Sequence, residues 1–191
     1  MVWPSLIVLF LVLLNGFFAM SELAIVSSRK ARLEMMAKAG NTGAERALKL
    51  AEDPTGFLST VQIGITLIGI FAGAYSGATL SDPLAAMLRG VPGIERSAGA
   101  LALAIVVVAT TYVSLIIGEL VPKRLALRNA EGIAAFVSGP MYVLSRVGTP
   151  IVWFLKISTE AVLGLLRMRG THQQAVGQPE QQQERARGAH Q

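Results

Sequence analysis

Two carboxylates interrupt long apolar runs, Glu22 in "AMSELAIVSS" and Glu119 in "IIGELVPKR". Other donors accompany them: Ser21 precedes Glu22, Gly118 precedes Glu119, and Ser59 and Gln62 stand one helical turn apart in a third apolar run. A carboxylate at membrane depth costs roughly 2.5–3.5 kcal/mol, so its default reading is functional. The plainer alternative is that each glutamate sits near a span end and reaches headgroup water. For the hydroxyls it is a bond to their own helix backbone. Pro122 adds a second signal. In a regular helix the N–H of residue 122 would bond the carbonyl of Gly118, and proline has no N–H. At membrane depth such a carbonyl must find another partner or line a watery cavity. Carbonyl, carboxylate, hydroxyl and amide oxygens are the donor set of a hard cation. Cysteine is absent and the only histidines, His172 and His190, lie in a polar tail. Zinc and copper chemistry is thereby disfavoured, whereas Mg2+ and Na+ both remain open.

The elements that must hold these groups are membrane helices. The 191-residue chain is 52% hydrophobic and only 15% charged, with a mean hydropathy of +0.53. Crossing a bilayer needs about 20 apolar residues, and three runs reach that length, at about 6–26, 57–80 and 98–121. The net charge of +5 is placed beside these runs, which argues for membrane orientation and against nucleic acid. Arg29, Lys30, Arg32, Lys38, Arg46 and Lys49 follow the first run, and Lys123, Arg124 and Arg128 follow the third. The positive-inside rule then puts the N-terminus outside and these basic segments in the cytoplasm of a multi-pass cell-membrane protein.

Residues 31–51 read as juxtamembrane helix interrupted near Gly40-Asn-Thr-Gly43, with Asp53-Pro54 resetting the chain before the second span. Residues 129–166 are apolar but carry Pro140, Pro150, Arg146 and Lys156, which favours an interfacial helix followed by a half-buried one over a fourth span. Residues 1–170 thus form the transmembrane domain. From Thr171 to Gln191 the Gln-rich composition cannot bury a core and reads as a disordered tail or severed linker. The second span carries Gly69, Gly73 and Gly77, spaced for close helix contact within or between chains. No histidine or lysine lies within the spans to serve as a base for Ser21 or Ser59, so the chain does not read as an enzyme.

The stretches "NGFFAMSELAIVSSRKARLE", "FLSTVQIGITL" and "GELVPKRLALRNAE" resemble the membrane domain of the CorC and cyclin M magnesium transporters, over about residues 1–165. The resemblance implies an all-α membrane protein, homodimeric, with three transmembrane helices per subunit plus cytoplasmic juxtamembrane and interfacial helices. It also implies Mg2+ bound within the membrane and exported against Na+ influx. The Gly-Glu-x-x-Pro turn of the family contributes to the ion site, which points to Gly118, Glu119 and Pro122. Ser21, Glu22, Ser59 and Gln62 match positions that face the same cavity. Family members usually continue into cytoplasmic nucleotide-binding CBS domains. Here a membrane-domain fragment without an ATP site is expected. The competing expectation is a membrane anchor or interaction module with a structural cation site.

Overall fold

The computed structural model describes residues 2–165, and the Gln-rich stretch at 171–191 lies outside them. Helix α1 (Val2–Ser27) leads to two short helices, α2 (Lys30–Lys38) and α3 (Thr42–Glu52). The long α4 (Pro54–Leu88) follows, and a 3-10 turn (Glu95–Ser97) opens α5 (Ala98–Leu115). A π turn (Ile116–Leu120) joins α5 to α6 (Val121–Arg128), and α7 runs Ala130–Leu165. Among the described residues, three helical stretches are long and apolar enough to cross a membrane, Val2–Ser27, Pro54–Leu88 and Glu95–Arg128. The protein is an all-α, three-span, multi-pass membrane protein. At about 1.5 Å per residue, the 35 residues of α4 reach well beyond a hydrocarbon layer of about 30 Å.

Local chemistry sets the short elements. Gly40 takes φ of +90°, a left-handed value open to glycine, and ends α2. Asn41 then caps α3, its Oδ1 accepting the Ala44 N–H at 3.0 Å. Asp53 caps α4 in the same way through the Gly56 N–H at 3.1 Å, with Pro54 entering the first turn.

Within residues 1–149, which form one compact unit, the tight core lies at the basic ends of the spans and not along their length. Phe18 and Ile25 of α1, Phe57 and Val61 of α4, Leu33, Leu50, and Val137 and Met141 of α7 gather there. The outer faces of the spans stay apolar and bare: Phe71 is 59% exposed and Val108 68%. Such surfaces suit lipid, not water. On α4, Ala72 and Ser76 are buried, and a Cβ on Gly77 would meet Leu103 of α5 at 3.4 Å. Around Gly69 and Gly73 there is open space.

One expectation is corrected: helix persists through Pro140, without an interruption there. Phe136 and Pro140 are both exposed, so the Phe136 carbonyl that loses its N–H partner opens outward instead of into the core. Residues 150–165 belong to a separate unit and are helical.

Where α1 gives way to α2, the chain is stapled to the start of α7. The Glu131 carboxylate is 8% exposed, accepts Arg29 Nε–H at 3.0 Å, and has Arg32 Nη1 at 3.8 Å. The Arg29 backbone N–H adds a longer bond at 3.4 Å. The Arg29 guanidinium, first among these influences, holds the Glu131 carboxyl below its ordinary value of 4.5. A depressed carboxylate pKa contributes stability that is present above the unfolded value and lost as pH falls through the folded one. Thermal unfolding in detergent should therefore drop on acidification below about pH 4.5. Glu131→Gln should cost about 1–3 kcal/mol at neutral pH and flatten that acid slope. Identical slopes for the two proteins would remove the staple from the account.

Candidate functional site

The stretch "IIGELVP" does not break the third span; it widens it. At the π turn the Val121 N–H donates to the Ile116 carbonyl, five residues back instead of four. In a regular helix the Pro122 ring would collide with the Gly118 carbonyl, and the extra residue in the turn relieves that clash. The helix then continues as α6 to Arg128.

The widened turn lies against α1 at backbone distance. A Cβ on Gly16 would stand 2.9 Å from Pro122 Cγ and 3.1 Å from the Ile117 carbonyl. A Cβ on Gly118 would stand 3.1 Å from the Val12 carbonyl. Glycine at both positions permits the approach, and Asn15 exploits it. Its Nδ2 donates to the Gly118 carbonyl at 3.1 Å. Its Oδ1 is buried and, among the described residues, has no hydrogen-bond partner. The sequence-derived site lacked Asn15, yet a signal was present: an amide in an apolar span, next to a glycine, is expensive unless it is bonded.

The six residues singled out from sequence fall into two tiers. Gly118 is buried beside Asn15. Glu119 follows it, with a side chain 39% exposed, and accepts from Lys123 Nζ at 2.8 Å, one turn further along. Ser21 lies six residues past Asn15 on α1, about 9 Å along the axis. It is fully buried and its Oγ donates to the Phe17 carbonyl at 2.6 Å. Phe18 packs against Gly64 of α4, and α4 runs opposite to α1, so Ser59 and Gln62 flank the Ser21–Glu22 level. Glu22 and Ser59 are half-buried and Gln62 is exposed. The neighbouring Thr60, not Gln62, turns inward and donates to the Gly56 carbonyl at 2.9 Å.

Among the described residues no three acidic or histidine side chains gather to hold a metal. Cation binding here would draw on backbone carbonyl, amide and hydroxyl oxygens around single carboxylates.

A three-span bundle with a proline-driven π turn packed on a glycine-bearing first helix defines a class of multi-pass membrane protein. The chain matches the family described as Cyclin M transmembrane N-terminal domain over residues 6–186 and belongs to that family. The resemblance carried by the three motifs is thus borne out. The UPF0053 protein sll0260 of Synechocystis is 52% identical over 155 residues, 81% of this chain and 35% of the relative. The UPF0053 protein YrkA of Bacillus subtilis is 28% identical over 90% of this chain and 40% of its own length. The Polyamine export protein of Escherichia coli K12 is 32% identical over 78% of this chain and 33% of its own length. The chain therefore spans between a third and two-fifths of the length of these relatives.

The bond between Asn15 and Gly118 is testable as a coupling. Asn15→Ala should lower stability by about 1–3 kcal/mol, because it strands a buried carbonyl. In a Pro122→Ala background a restored N–H can take that carbonyl, and the cost of Asn15→Ala should shrink by about 1 kcal/mol. Additive losses in thermal unfolding would show that the amide does not serve the carbonyl freed by proline.

Proposed function

We propose that this chain is the membrane domain of a magnesium transporter that carries Mg2+ out of the cell, with Na+ influx as the driving exchange. The observation that carries the reading is the Gly118 carbonyl, which accepts a side-chain amide from a neighbouring helix beside the Glu119 carboxylate, within the π turn of a membrane span. Mg2+ takes oxygen ligands at about 2.0–2.1 Å and dehydrates reluctantly, so it keeps several waters. Gly118 and Glu119 then form the upper tier of its path. Glu22, Ser59 and Gln62 line the lower tier and exchange contacts through water, and Ser21, buried on the Phe17 carbonyl, completes that level from behind. Lys123 is the counter-ion of Glu119 in the cation-free state, and an arriving cation displaces it.

A second reading has its own support. Glu119 already holds a primary ammonium, Lys123 Nζ, at 2.8 Å, and one relative is named a polyamine export protein. A linear polyamine would present the same group. In proteoliposomes containing this chain, Mg2+ flux that falls at least tenfold in Glu119→Gln, with unchanged thermal stability, supports the magnesium reading. Spermidine flux with the same sensitivity, and no Mg2+ flux, supports the polyamine reading. Flux of neither leaves a membrane anchor with a structural cation site.

The proposal includes an N-terminus outside, basic segments in the cytoplasm, and a homodimer closed through the open face at Gly69 and Gly73. Since the chain has no cysteine, single cysteines report cleanly. One at Arg96 should be labelled from outside intact cells and one at Thr42 only after permeabilisation. Gly73→Cys should cross-link two copies under oxidation. Reversed labelling would invert the orientation, and a purely monomeric Gly73→Cys would move the dimer contact elsewhere.

A further inference from the structure

Between the α2–α3 turn and the first half of α7 lies a groove of about 530 Å³, away from the π turn and its ion path. Met36, Asn41 and Thr42 form one side, Phe136 and Pro140 the other, and Arg46 lies within it. A Cβ on Gly139 would stand 3.6 Å from Arg46 Nη1, so the guanidinium reaches from α3 across to α7. Among the described residues no carboxylate pairs with it: Glu45 is taken by Lys49 at 2.8 Å and Glu131 by Arg29. An exposed guanidinium in a concave setting, with no internal acid, is a ready partner for a phosphate oxygen.

What surrounds the groove identifies the phosphate. One face of α7 packs inward through Ala134, Val137 and Met141. The other carries Phe136, Pro140, Val143 and Val147, spaced by three or four residues, all exposed; Phe136 is 76% and Val147 67% exposed. An apolar stripe of this kind on a helix that starts two residues after the third span ends lies in the membrane interface. Phe136 and Pro140 belong to both stripe and groove. An acyl chain against the stripe would therefore deliver its headgroup to Arg46.

We propose that the groove is a binding site for an anionic phospholipid, with Arg46 holding the phosphate and the Phe136–Val143 face the first part of an acyl chain. The proposal does not depend on which cation the ion path carries. Arg46 and Gly139 lie outside that path, so loss of lipid selectivity and loss of flux are separable results.

Native mass spectrometry of the detergent-solubilised chain, titrated with phosphatidylglycerol or phosphatidylcholine of the same acyl chains, reads the site directly. Wild type should retain phosphatidylglycerol in preference to phosphatidylcholine. Arg46→Gln should lose roughly fivefold of that preference, and Gly139→Leu, which fills the groove, should lose as much. Lys49→Gln removes a nearby cation that is already paired and should keep the preference. Because Arg46 is exposed, Arg46→Gln decides the matter even if Gly139→Leu fails to fold. Unchanged selectivity in Arg46→Gln, or an equal loss in Lys49→Gln, overturns the site. So does displacement of the lipid by equimolar inorganic phosphate, which would mark a site for free anions. A shift in subunit number in Arg46→Gln or Gly139→Leu without a change in lipid retention would assign the groove to a second copy, and would overturn it likewise.

Discussion

A backbone carbonyl inside hydrocarbon has no water to turn to, and that constraint organises the third span and what packs on it. Proline at position 122 removes the N–H that would close the helix on Gly118, and its ring demands room. The chain answers with a π turn, which keeps the span continuous, and with Asn15, whose amide meets the carbonyl at 3.1 Å. Neither answer works alone. The amide reaches the carbonyl because Gly16 and Gly118 bring the two backbones to van der Waals contact. Substitution at either glycine would thus strand the carbonyl by moving it away from Asn15.

The rest of the core serves the same geometry from a distance. The spans expose most of their surface and give each other little apolar burial, because lipid is as good a solvent as a neighbouring leucine. Water-driven burial is concentrated at the basic ends, where α2, α3 and α7 cover the ends of α1 and α4. The Arg29–Glu131 pair fixes the start of α7 to the end of α1. A carboxylate that buried needs its partners, and removing one strands the other, so the pair specifies the register of α7 even if its net contribution to stability is small. Helix α1 is in this way held at two levels, by the π turn at residues 12–16 and by the stapled core at its end.

Much of this was legible in sequence for simple reasons. Run length identifies three spans because a bilayer has one thickness. Proline at 122 announces a freed carbonyl because the chemistry of the missing N–H is local. Less could be read where a side chain chooses between neighbours. The one-turn spacing of Ser59 and Gln62 suggests one inward face, yet at that level of the helix Thr60 is the hydroxyl that is buried. In a helix apolar on nearly all sides, polar spacing carries no information about which side meets protein and which meets lipid. The role of Asn15 is not legible in sequence because its partner is 103 residues away. Helix through Pro140 was equally hidden: a proline is tolerated where the carbonyl it frees points outward, and only the tertiary packing of α7 decides that direction.

The two tiers bear on how a cation could pass. The Gly118 carbonyl and the Glu119 carboxylate already have partners within the chain, Asn15 Nδ2 on the first and Lys123 on the second, whereas Asn15 Oδ1 is buried without one among the described residues. Under the proposed function, loading a cation at this level would exchange those bonds for coordination and would not fill a preformed cage. An exchange of near-equal interactions has a small net free energy, which favours a site that must release its occupant as readily as it takes it. A rigid, fully desolvated octahedral pocket would bind Mg2+ tightly and surrender it slowly. The Asn15 amide, with one end bonded and the other buried without a partner among the described residues, is where this balance is most exposed. An unsatisfied amide oxygen costs about 1–3 kcal/mol, and the chain retains it beside the Gly118 carbonyl of the proline-bearing π turn.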